Sequence, residues 1–311
     1  MTLLNMLHAS RLRLILKGFC MGTADVIPGV SGGTMAFILG IYSELLSAIK
    51  SFDLIWLKSI FKFELKVFVS RPHMGFLIPL GIGIGTALLF FTRVVPLPVL
   101  LQIYPEQIYG LFFGLIAGSI IILLQEMLAL ELTEVVPFIL GFVIGFMIFN
   151  LVPVQTPESA WFIFLYGSLA ICAMILPGIS GSFILLILNK YVYIFNAIGY
   201  FQLTILIPFA LGAVTGLVVF SRILSYLISK YYRNTVLFII GILVASLWVI
   251  WPFQERVYIT VRGKARLIDS TPALPTELSS SVILSIGMIT TRFLVVLALN
   301  RFAVVKAGSA D

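Results

Sequence analysis

Pro28-Gly29-Val30-Ser31-Gly32 returns, almost unchanged, as Pro177-Gly178-Ile179-Ser180-Gly181. Each copy sits inside an apolar stretch and is followed by an apolar run ending in tyrosine, Thr34 to Tyr42 in the first and Phe183 to Tyr191 in the second. Proline has no N–H to donate and glycine favours non-helical backbone, so the pair stops a helix. In lipid a broken helix is tolerated only where protein or a water-filled cavity covers the freed backbone groups. A doubled break therefore points to a doubled site. Interrupted segments in corresponding halves are the best sequence pointer to a transporter's binding site.

Composition sets the class. The 311 residues are 60% hydrophobic and 11% charged, with a mean hydropathy of +1.14, where a soluble globular chain carries about 25% charged residues. This is a polytopic membrane protein over its whole length, with no long polar stretch for a separate soluble domain. Arg11, Arg13 and Lys17 precede only a short apolar run, which reaches Asp25 and the first break without a small-x-small cleavage site; that argues against a signal peptide. The net charge of +7 does not point to nucleic acid, because no soluble segment interleaves basic residues with aromatics. Cys20 and Cys172 lie in apolar segments just before the breaks and read as packing residues, not as a disulfide or metal pair.

A spanning helix needs about 20 apolar residues. The spans expected are 75–95, 106–126, 134–151, 200–222, 234–252 and 280–300, the last apolar except for Arg292. The two broken segments, 11–49 and 159–198, have arms too short to span alone. Each is expected to be a re-entrant hairpin that enters, turns near mid-membrane and leaves on the same side. Residues 52–69 interleave Lys58, Lys62, Glu64 and Lys66 with large apolar side chains, which suits an interfacial amphipathic helix.

The repeat continues beyond the hairpins. Pro79, Gly83, Thr86, Phe91 and Arg93 recur in order as Pro208, Gly212, Thr215, Phe220 and Arg222; Gly114 and Ser119 recur as Gly241 and Ser246, and Gly141 matches Gly287. Residues 1–157 and 158–311 are then two repeats, each one hairpin plus three spans. Three crossings place the second hairpin on the opposite side from the first. The expected fold is thus an all-α polytopic membrane protein with an inverted-topology repeat. On that topology the face holding the N-terminus carries thirteen Lys and Arg residues against six on the other, which puts both termini in the cytoplasm. The external loop, 253–279, contains a stretch that reads as a small β-hairpin.

After each break a helix restarts near Ser31 or Ser180, both good N-cap residues. A helix N-terminus presents unpaired N–H groups and partial positive charge, so it attracts anions. Ser31, Gly32, Gly33, Thr34, Ser180, Gly181 and Ser182 are the candidate anion-binding residues, the small ones letting a ligand approach the backbone. Tight packing of two kinks is the alternative. Arg292, about twelve residues into the last span, is expensive in lipid at about 2.5–3.5 kcal/mol even on the gentler scale. Its guanidinium matches phosphate or carboxylate geometry. Asp25 is placed to neutralise Arg292, to carry a coupling proton, or to accept from local backbone. Arg93 and Arg222 read as snorkelling anchors or as gates that capture an anion from either leaflet. The enzyme reading is thin: the histidines are His8 and His73, and no HExxH, GxSxG or Cys/His cluster occurs. No metal site or cofactor is expected.

Gly22-Thr23-Ala24-Asp25-Val26-Ile27-Pro28-Gly29-Val30-Ser31-Gly32-Gly33-Thr34, followed by Phe37 to Tyr42, resembles the signature of the bacterial undecaprenyl phosphate translocases, and Leu176-Pro177-Gly178-Ile179-Ser180-Gly181-Ser182 fits the same family. The resemblance covers nearly the whole chain. It implies a protein of the bacterial cytoplasmic membrane that returns undecaprenyl phosphate, the lipid carrier of envelope glycans, to the cytoplasmic leaflet. It also implies Glu directly after the Tyr42 position; here Ser43 intervenes, so Glu44 stays outside the core site. The expected partners are undecaprenyl phosphate, membrane lipids and a coupling ion, proton or sodium. A transporter or channel for a small soluble anion is the alternative, and a membrane-embedded lipid-phosphate hydrolase is a third reading.

Overall fold

Helix α1 (Leu3–Asp25) stops just short of the first Pro-Gly pair, and helix resumes at α2 (Gly32–Ile38). The computed structural model describes residues 3–26, 30–52, 56, 72–95, 100, 103–127, 132–151, 156–261 and 264–308. Pro28 and Gly29, and most of the expected interfacial helix 52–69, lie outside the described residues. After α2 the chain turns at Gly40, whose φ of +68° is the left-handed geometry that glycine adopts without a Cβ penalty. It then forms α3 (Tyr42–Lys50) and, after the undescribed stretch, α4 (Met74–Leu89), which ends in a π-helical turn at Phe90–Val94.

The same order of a long helix, two short ones and a long one recurs as α7 (Ala160–Ile175), α8 (Gly181–Ile187), α9 (Tyr191–Gly199) and α10 (Leu203–Lys230). Asn189, at φ 52°, turns the corner that Gly40 turns in the first copy; Asn is among the few side chains that tolerate this region. Each arm after a break is thus two short helices around a left-handed corner, a second interruption beyond the expected one.

The remaining elements are α5 (Pro105–Glu126), α6 (Leu132–Phe149), α11 (Tyr232–Val249), the strands β1 (Gln254–Val261) and β2 (Lys264–Pro272), and α12 (Ser280–Gly308). The strands pair antiparallel, as expected for the loop, with a bulge between Val257 and Tyr258. The chain divides into two compact units, Met1–Leu97 with Asn150–Ile239, and Pro98–Phe149 with Ile240–Asp311. Each unit draws on both sequence halves.

Close helix pairs organise each unit. In the first, α1 packs on α4 and α7 on α10. A Cβ on Gly83 would strike the Ile15 carbonyl, and one on Gly212 would strike that of Phe164. In the second unit α5 packs on α12. Gly110, Gly114 and Gly118 line the α5 side of this contact, against Ser285, Ile289 and Phe293. This is the small-residue spacing that lets helix backbones meet in lipid, where apolar burial alone gives no preference for a partner. Outward faces are apolar: Leu140, Val143, Ile144 and Met147 are exposed on α6, and Leu211, Val214 and Ile223 on α10. Among the described residues four helices are long and apolar enough to cross a membrane, over Pro105–Gln125, Leu203–Lys230, Tyr232–Val249 and Ser280–Ala298. Helix α10 runs on past Arg222 to Lys230, since no Pro or Gly interrupts Ser221 to Lys230.

Candidate functional site

The second break is closed by side chains of the first segment. Pro177 has no N–H to offer the preceding turn, so the last carbonyls of α7 lack helical partners. The Ser31 hydroxyl donates to the Met174 carbonyl at 3.1 Å, and the Tyr42 hydroxyl donates to that of Ile175 at 3.0 Å. In return the Gly178 N–H donates to Thr34 Oγ1 at 2.7 Å. Gly178 holds φ 96°, which a side chain rarely adopts. Ser31, Thr34 and Tyr42 are at most 3% exposed, so these bonds are made away from solvent, where an unmade one costs most. Gly33 permits the approach: a Cβ there would stand 2.6 Å from the Met174 carbonyl oxygen.

The start of α2 is already occupied by a carboxyl group of the chain itself. Ser31 caps the helix, accepting from the Gly33 N–H at 3.1 Å. The Asp25 carboxylate accepts from the Gly32 N–H at 2.7 Å, the position where negative charge complements the helix dipole. A Cβ on Gly32 would lie 2.6 Å from Asp25 Oδ2, so glycine is what admits the carboxylate.

The second tip is different. Met174 stands where the first copy has Asp25. Ser180 precedes α8 and its side chain makes no cap bond; its hydroxyl pairs instead with that of Ser182, 2.8 Å away. Ser182 is exposed and Ser180 half-buried, while Gly181 packs against the Ala170 carbonyl. Of the seven candidates, then, Ser31, Gly32, Gly33 and Thr34 are engaged with protein, and the accessible hydroxyls belong to Ser180 and Ser182.

The far ends of α2 and α8 are also tied. Lys17 Nζ donates to the Leu39 carbonyl at 2.8 Å, and Thr156 Oγ1 donates to the equivalent Leu188 carbonyl at 2.8 Å. Lys190, 6% exposed, pairs with Glu158 at 2.8 Å. Sequence reasoning singled out none of Lys17, Tyr42, Thr156 and Glu158 as site residues; the tyrosine ending each apolar run was the one visible signal. Arg292 is exposed on α12 in the other unit, with no ion pair to another described residue. Arg93 falls in the π-helical turn, and Arg222 is exposed on α10.

Discontinuous helices inside apolar segments, with lipid-compatible outer faces around them, define a polytopic α-helical membrane protein of the broken-helix construction that many transporters share. Residues 21–267 match the undecaprenyl phosphate translocase-like family, and the chain belongs to that family. Both broken segments lie largely within the matched region. A polyprenyl-phosphate transporter of Vibrio cholerae is 39% identical over 85% of this chain and 84% of its own length. A polyprenyl-phosphate transporter of Staphylococcus aureus is 30% identical over 76% of this chain and 85% of its own. No solved structure matches.

Proposed function

We propose that this protein carries a polyprenyl monophosphate, undecaprenyl phosphate in the family's description, across the bacterial cytoplasmic membrane. The lipid carrier returns to the cytoplasmic leaflet by alternating access, both termini are cytoplasmic, and the two halves are inverted repeats whose re-entrant tips frame a midplane anion site. Family membership across both broken segments is the observation that carries this reading. In this reading the two tips divide the labour. The first tip holds its own carboxylate, so the phosphate engages the second, at Ser180, Gly181 and Ser182. Arg292 supplies a full positive charge to the phosphate along its path, and Arg93 and Arg222 attract it at opposite leaflets. Asp25 carries the coupling proton.

Leaflet-resolved measurement in proteoliposomes tests the proposal. Polyprenyl phosphate placed in one leaflet should appear in the other faster with protein than without it, while the neutral polyprenyl alcohol gains nothing. Equal rates with and without protein, or equal acceleration of alcohol and phosphate, would exclude it.

A further inference from the structure

Among the described residues Lys190 is the only buried side chain that carries a charge, at 6% exposed. The corner at Asn189 sets its place. The Lys190 N–H donates to the Leu185 carbonyl at 2.8 Å, and the ammonium lies 5.4 Å from the centre of the Tyr193 ring. A buried ammonium is costly unless it is paired. Its partner is Glu158 at 2.8 Å, whose side chain is 56% exposed. The two members of the pair are therefore unequal. Glu158 can turn out into water at little cost, whereas Lys190 is held by the corner. The cation is fixed and the anion is exchangeable. Comparison of the two copies removes the plainest structural duty for this lysine. An ammonium suits the C-terminal end of a helix, where carbonyls lack partners, and Lys17 does that work at Leu39 in the first copy. In the second copy Thr156 takes the equivalent Leu188 carbonyl, and the Lys190 ammonium bonds a carboxylate instead.

We infer that Lys190 is a phosphate-binding residue, and that Glu158 holds the position of a phosphomonoester while the lipid is away. The inference rests on the proposed lipid-carrier function and adds a second station to it. Helix α8 has seven residues and so is about 10 Å long. Ser180 and Ser182 stand at its start and Lys190 beyond its end, too far apart for one phosphate to touch both, so the head group visits them in turn along a single helix. A phosphomonoester suits the exchange. It brings a charge of about −1.5 to −2 at pH 7 and three acceptor oxygens, against the single charge of Glu158. Lys190 in return brings a full charge in a covered setting, which outweighs the partial charges of a helix end. The resting affinity for the head group therefore reports on Lys190.

The test measures binding to the full-length protein in detergent with three probes: a polyprenyl monophosphate, inorganic phosphate and the polyprenyl alcohol. Glu158→Gln keeps an acceptor for Lys190 but removes the competing charge. Lys190→Met keeps the apolar stem and frees a carboxylate that is already exposed, so the fold is retained and thermal unfolding checks this. Glu158→Gln should bind polyprenyl phosphate about threefold to tenfold more tightly and Lys190→Met about tenfold more weakly. The double variant should lose the gain, because that gain acts through Lys190. Affinity for the alcohol should stay constant throughout. A pair that only ties the chain together gives unchanged or weaker phosphate binding in Glu158→Gln. That result, or unchanged affinity in Lys190→Met, overturns the station and leaves the transport reading standing. Parallel shifts in alcohol binding place the effect on the tail and overturn it too. Inorganic phosphate bound with the same dependence on both residues, without polyprenyl phosphate, keeps the phosphate site and removes the lipid-carrier reading. No phosphate probe bound by wild type sinks both.

Discussion

Thr34 shows how one hydroxyl can decide whether a broken helix is tolerable. It accepts from the Gly178 N–H in a site 1% exposed. Thr34→Val keeps the shape and removes the acceptor, so it should cost about 1–3 kcal/mol, while Thr34→Ser should keep most of the stability. Thermal unfolding of the purified variants measures the difference. The cap at Ser31 was legible in sequence, because Ser before two glycines is a local pattern. Thr34's partner was not, since it lies 144 residues away and no local rule names it. Arg292 carries a second prediction at this scale. Helix ends offer only partial charge, typically worth about 0.3–1 kcal/mol. Arg292→Ala should therefore weaken phosphate-lipid binding more than Ser180→Ala does, and unchanged affinity in Arg292→Ala would remove it from the lipid's path.

At the scale of elements, the helix pairs rest on absent side chains. On α5, a Cβ at Gly114 would strike the Ile289 carbonyl of α12. Gly114→Val should push the pair apart and deplete the folded monodisperse fraction in size-exclusion chromatography. Gly81→Ala on α4 meets nothing within 4 Å and should leave that fraction unchanged. The helix breaks and the β-hairpin could be read from the chain, since each has a local physical signal. The second corner in each arm could not: Gly40 gives a hint, but Asn189 reads as an ordinary polar residue until its backbone is seen at φ 52°. Hydropathy falls after Phe220, yet α10 continues to Lys230, because helix persists while no breaker stops it.

For the whole molecule, the proton-coupling proposal makes a clean demand. Asp25→Asn retains an oxygen for the Gly32 N–H and so preserves the cap, but it cannot gain or lose a proton. Transport by this variant should continue and should no longer respond to an imposed pH gradient; a wild-type response would leave Asp25 a purely structural group. A mechanical consequence follows from the way the first segment closes the second break. Ser31, Thr34 and Tyr42 couple two distant stretches of chain like a three-toothed latch. A cycle that moves one tip past the other must open all three teeth, at about 0.5–1.5 kcal/mol net for each hydrogen bond. A cycle that keeps the latch shut must carry both tips as a single rigid piece, with the hinge displaced to the left-handed corners at Gly40 and Asn189.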